Sequence, residues 1–103
     1  MKKTVMFDID GTLIDYKGGA IAENVDLFLF FQSMGYDVGV WSQAGAEHAG
    51  AVANSLGLEP RFVMAKNTSM GNKMYPDIAV DDLNIHIART MIKVHDDPHR
   101  TMV

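Results

Sequence analysis

Asp8 and Asp10 flank a single apolar residue, and the segment they close runs Val5-Met6-Phe7-Asp8-Ile9-Asp10-Gly11-Thr12. A short apolar run broken by Asp-Gly reads as a buried strand entering a turn. Residues i and i+2 of a strand face the same way, so the spacing predicts that Asp8 and Asp10 leave the strand end together. Two ionised carboxylates that close repel, and a bound cation is the simplest relief. Gly11 permits a tight turn, and the Thr12 hydroxyl can satisfy turn backbone. The plainer alternative is a solvated acid ahead of an ordinary Asp-Gly turn.

Further along, two more apolar runs end in groups of the same kind. Asp37-Val38-Gly39-Val40-Trp41 stops at Ser42, and Asp77-Ile78-Ala79-Val80 stops at Asp81-Asp82. Ligands of parallel α/β sheets bind at the carboxyl ends of the strands. If these three runs are parallel neighbours, their polar ends converge on one edge, which a solvated-acid reading does not explain. Two lysines, Lys66 and Lys73, lie between the second and last of these runs. A Ser at a strand end is also the commonest N-cap of a following helix, and a lone lysine is commonly a solvated surface group. His48 and His86 read as surface or helix-packing residues, with His48 nearer the proposed site. The cluster His95, Asp96, Asp97, His99 sits in a Pro-containing stretch that makes a poor preorganised metal cage.

The elements that must position these residues follow from pattern and punctuation. Leu13 to Ala20, with Tyr16, Lys17, Gly18 and Gly19, reads as a loop. Ile21 to Met34 carries an approximate helical stripe stopped by Gly35, and its Phe28, Phe30 and Phe31 are expected in the core. Tyr36 to Trp41 is a second strand. Ala44 to Leu56, rich in Ala and Gly, is a helix stopped by Gly57, with Ala49, Gly50 and Ala53 close against a sheet. Arg61 to Ala65 reads as a third strand, Lys66 to Tyr75 as a loop and Asp77 to Asp82 as a fourth strand. Asn84 to Thr90 is expected to form a short helix, Met91 to Val94 a weak edge strand, and residues 95–103 a flexible tail. Strand, helix, strand at this spacing is a βαβ unit with parallel strands and a right-handed crossover. The 103 residues therefore make a single α/β domain with a small parallel sheet.

Composition narrows the function classes. Hydrophobic residues at 48% and charged residues at 21% are ordinary for a globular chain with one core. The absence of cysteine removes disulfide, thiolate and Cys-zinc chemistry. No apolar run approaches the ~18 residues of a membrane span, and Met1-Lys2-Lys3 leads straight into a strand, so a cytoplasmic protein without a membrane partner is expected. A net charge of −4 with scattered Lys and Arg gives no basic footprint for nucleic acid.

Val5 to Thr12 resembles the first motif of the haloacid dehalogenase (HAD) superfamily, a hydrophobic run followed by DxDGT. That resemblance implies that Asp8 is the nucleophile that becomes phosphorylated and Asp10 a general acid/base. Ser42 is similar to the second motif and, with Gln43 and the start of the following helix, would bind phosphate. Lys73, in Lys73-Met74-Tyr75-Pro76-Asp77 leading to Asp81-Asp82, resembles the third-motif lysine of small uncapped members. The family often has Pro directly after that lysine, where this chain has Met74, and Lys66 is the reserve. Asp81 and Asp82 are similar to the fourth motif. The resemblance spans roughly Thr4 to Leu83 and implies a Rossmann-like three-layer sandwich. It also implies a Mg²⁺ ion held by Asp8, the Asp10 carbonyl and Asp81, with Asp82 supporting or replacing a ligand.

The activity so implied is hydrolysis of phosphomonoesters, since dehalogenases and transport ATPases of the superfamily lack the second aspartate. Only 31 residues separate Asp10 from Ser42 and 30 separate Ser42 from Lys73, and predicted elements already fill both gaps, so no cap domain fits. An open site implies a bulky phosphorylated substrate, such as a phosphoprotein or a nucleic-acid end, or closure by another copy in a homo-oligomer. Tyr16 and Lys17 are the expected substrate-facing residues of the one local lid. The competing class is a non-catalytic module of the same fold that binds Mg²⁺ or a phosphorylated partner. Receiver-type signalling also groups acids and a lysine on a parallel sheet, but receivers place the phosphorylated Asp on a later strand.

Overall fold

The computed structural model describes residues 2–66, 75–83 and 85–94. Among the described residues five short apolar segments form strands: β1 (Thr4–Asp8), β2 (Asp37–Ser42), β3 (Val63–Ala65), β4 (Ile78–Asp81) and β5 (Thr90–Lys93). They make one sheet in the order β3-β2-β1-β4-β5, with every neighbouring pair parallel. Central β1 and β2 are buried along almost their whole length, as strands covered on both faces must be.

Two helices, α1 (Ala22–Ser33) and α2 (Ala46–Ser55), carry the crossovers from β1 to β2 and from β2 to β3. Both crossovers step in the same direction, so right-handed connections put both helices on one face. Phe28 and Phe31 of α1 and Ala49 and Ala53 of α2 accordingly pack with Val5, Phe7, Val38, Val40 and Val80. The opposite face collects Met6, Trp41 and Ala79 under Ile87 and Ala88. Gly39 is needed where it stands, because a Cβ there would press on the Met6 sulfur and on Phe62.

Both helices end as their glycines indicate. Gly35 and Gly57 take positive φ, while Tyr36 N–H reaches back to the Phe31 carbonyl and Leu58 N–H to that of Ala53, the six-to-one bond of a Schellman stop. The aromatic set of α1 divides. Phe28 and Phe31, three residues apart, share the inward face, and the Phe28 ring lies 5.2 Å from that of Phe7. Phe30 is 55% exposed, a correction to the expected core placement: two residues from Phe28, it falls on the far side of a helix with 3.6 residues per turn. The short helix expected over Asn84–Thr90 also does not form. Residues 85–89 are irregular, and Arg89 and Thr90 N–H groups bond the carbonyls of Pro76 and Asp77 as the chain enters β5. No helix among the described residues is long and apolar enough to cross a membrane.

Candidate active site

The sheet register does most of the assembly. Phe7 lies opposite Val80, so Asp8 and Asp81 emerge at the same level from neighbouring strands, on the same face. On the other flank Trp41 pairs with Met64 and Ser42 with Ala65, and one residue further the Lys66 N–H donates to the Ser42 carbonyl at 2.8 Å. That bond delivers Lys66 to the carboxyl edge. Its Nζ donates to Asp8 Oδ1 at 2.8 Å and to Asp81 Oδ2 at 2.9 Å.

This is a buried ion cluster. Asp81 is fully buried, and Asp8 and Lys66 are each 5% exposed. One ammonium serves two carboxylates, and the titration of Asp8 registers the imbalance. Burial raises the Asp8 carboxyl to about 7 and the charge of Asp81 adds to it, against the opposing pull of the Lys66 hydrogen bond and charge. Burial works against the Lys66 ammonium as well, but the hydrogen bonds and charges of Asp8 and Asp81 outweigh it and hold its pKa above the ordinary lysine value.

Asp8, Asp81 and Asp82 each offer a carboxylate oxygen, and these oxygens all lie within 4.8 Å of one another. An all-oxygen set of that size suits a hard divalent cation, and buried acids with, among the described residues, one ammonium between them are the electrostatic setting such an ion relieves. The residues therefore fit a metal. Leu83 N–H donates to Asp81 Oδ1 at 2.9 Å, and Asp82 accepts from the Tyr16 hydroxyl at 3.0 Å and from Thr12 at 3.4 Å. Gly11 makes the approach of Asp82 feasible: its φ is +85°, and a Cβ would run into the Asp82 carboxylate.

Asp10 takes a different course. The N–H groups of Thr12, Leu13 and Ile14 all converge on the Ile9 carbonyl, so the chain winds into a tight turn directly after β1. Ile9 is buried in the core while the Asp10 side chain is 43% exposed. Both acids line one cleft, but β1 ends at Asp8, so the turn rather than strand alternation places Asp10, and its carboxylate lies outside the metal-type triad. Its oxygens face His48 Nε2 at 3.1 and 3.2 Å. The Thr12 carbonyl accepts from the side chain of buried Asn24 at 2.8 Å, which ties the turn to α1.

Ser42 caps a turn rather than the helix. Its Oγ accepts from the Ala44 N–H at 3.0 Å, an ST-turn, and α2 begins two residues later behind Gly45. Ser42, Gln43 and Ala44 form one wall of a cleft of about 190 Å³ whose other walls include Asp8, Asp10, Lys66 and Asp82. A larger, more open depression of about 650 Å³ lies at the amino edge, around Lys2, Gln32, Asp37, Glu59 and Arg61. It lacks the buried charge that marks the smaller cleft.

Of the site residues expected from sequence, Asp8, Asp10, Ser42, Gln43 and Asp82 line the cleft, and Asp81 joins it through Lys66 and Asp8. Lys73 lies outside the described residues, as do His95, Asp96, Asp97 and His99; the lysine observed at the acids is Lys66. His48, read from sequence as a surface or helix-packing residue near the site, instead contacts the Asp10 carboxylate. A usable signal existed, because the first turn of a helix that follows a strand end sits at the ligand-binding edge. Comparisons with known protein families, with curated proteins and with solved structures give no match.

Proposed function

We propose that this chain is a Mg²⁺-dependent phosphomonoester hydrolase that works through an aspartyl-phosphate on Asp8, on a Rossmann-like sandwich of the HAD type. The observation that carries the reading is the convergence of Asp8, Lys66 and Asp81 from three strand ends into one buried cluster beside a small cleft. The order of the DxDGT segment, the strand-end Ser, the Lys and the paired acids supports it.

In this reading Lys66 keeps Asp8 aimed and favours its ionised form. Asp8 attacks phosphorus in line, and Asp10 protonates the departing oxygen, which divides one hard displacement into two. Asp10 then accepts the proton of the attacking water, and inorganic phosphate leaves Asp8. Ser42, Gln43 and the backbone at the start of α2 bind the phosphoryl oxygens. Asp8 and Asp81, with Asp82 beside them, would hold Mg²⁺, which supplies charge neutralisation to the phosphoryl group when bound. The short loop between β1 and α1 leaves the cleft open, which suits a broad or macromolecular phosphate substrate.

Hydrolysis of para-nitrophenyl phosphate with Mg²⁺ tests the proposal. Asp8→Asn is expected to lose roughly 10³-fold or more in kcat, and retained turnover would reject Asp8 as nucleophile. The Lys66 bridge also supports a second reading, a cation- or phosphate-binding module, since a lysine on Asp8 Oδ1 blunts a nucleophile. Mg²⁺ binding by a wild-type chain with no turnover on any phosphomonoester would favour that reading.

A further inference from the structure

We propose that His48 is the positioning residue for Asp10, fixing its carboxyl for proton transfer to the leaving group, an assignment that rests on the hydrolase reading above. A general acid must sit within about 2.6–3.2 Å of the oxygen it protonates. Asp10 stands on a turn with its side chain 43% exposed, so its torsions would otherwise be set by solvent. The structure sets the His48 ring against it.

The contact is bifurcated: the one nitrogen Nε2 lies 3.2 Å from Oδ1 and 3.1 Å from Oδ2, which fixes where the carboxyl group sits. With the proton on Nε2, the imidazole donates to one Asp10 oxygen and leaves the other to carry the proton that passes to the leaving group. His48 rides in the first turn of α2, and α2 is pinned to the sheet one residue later by Ala49, which is fully buried. A group carried on a packed helix is held more closely than one on a loop. The arrangement also separates two tasks. Asp8 is clamped by Lys66 inside the buried cluster, while Asp10 is held apart from it, on the wetter side of the same cleft.

The chemistry to which this applies balances as follows. An Asp8 oxygen bonds to phosphorus as the bond to the leaving oxygen breaks, and the Asp10 proton passes to that oxygen. Water then bonds to phosphorus, its proton returns to Asp10, and the Asp8–phosphorus bond breaks. Only the first transfer depends on the leaving group: an alkoxide needs the proton, whereas a nitrophenolate departs nearly without it.

The test compares kcat/KM, which reports that first step, on glycerol phosphate and on para-nitrophenyl phosphate. His48→Ala is expected to lose roughly 10²-fold on the alkyl ester and at least tenfold less than that on the aryl ester. His48→Gln, which keeps a donor of similar reach, is expected to recover part of the alkyl-ester rate. Equal losses on both esters would overturn the assignment and make His48 merely structural. A wild-type chain inactive on both esters would remove the hydrolase reading and the assignment with it, a result distinct from equal losses in an active enzyme.

Discussion

Asp77 enters β4 and Asp81 leaves it, and the same side chain meets opposite conditions at the two ends of one strand. Asp77 Oδ2 accepts the Thr4 N–H at 2.9 Å, and the exposed Arg89 lies 3.8 Å from Oδ1. The Thr4 backbone bond holds the Asp77 carboxyl below its ordinary pKa. Asp81 has no exposure and shares one ammonium with Asp8. At the amino edge an acid closes the start of a sheet with donors to hand. At the carboxyl edge, among the described residues, Asp8 and Asp81 share the single ammonium of Lys66. Crowded, buried charge costs stability, and its placement beside a cleft makes this edge the candidate functional site.

Removing the shared cation should break the contrast most severely. Lys66→Met leaves two buried carboxylates facing each other, and a loss of about 3–5 kcal/mol in urea unfolding is expected. Added Mg²⁺ should recover part of that loss in the variant, because the freed acids still offer oxygen ligands. A loss under about 1 kcal/mol would show that Lys66 does not neutralise the cluster.

The pH dependence of Asp8 comes next. Its pKa rises from 3.8 in the unfolded chain to about 7 in the folded one. Between those values the folded state holds a proton that the unfolded state has released, so stability falls as pH rises through that window. Without metal, the wild type should therefore lose stability relative to Asp8→Asn between pH 3.8 and about 7, by an amount on the order of a few kcal/mol. A flat difference between the two across that range would contradict the burial of Asp8.

Asp77 should behave in the opposite sense and on the smallest scale. Its lowered pKa contributes stability that is present above the unfolded value of 3.8 and is lost as pH falls through the folded pKa. Asp77→Asn should thus cost little at neutral pH, and its difference from wild type should close in acid. Thermal unfolding followed between pH 2 and pH 7 would show this as converging curves.

Much of this molecule is legible in its sequence. Apolar runs closed by Asp-Gly, Ser and Asp-Asp locate the strands and put polar side chains at their ends, because strand length, side-chain alternation and turn residues are local properties. Gly35 and Gly57 located the helix stops for the same reason. Phe30 and the segment 85–89 were misread where a local pattern met a tertiary condition: which side of α1 faces the sheet, and how the chain crosses from β4 to β5.

What the sequence by itself determined is a parallel α/β chain with acids at its strand ends. The partners of those acids were decided only by tertiary structure. Lys66 and Asp8 are 58 residues apart, and His48 and Asp10 are 38 apart. They meet because the sheet order and register align separate strand ends to within a residue. Such alignment is set by the packing of the whole sheet against its helices, a sum over many distant contacts that no short stretch of chain encodes.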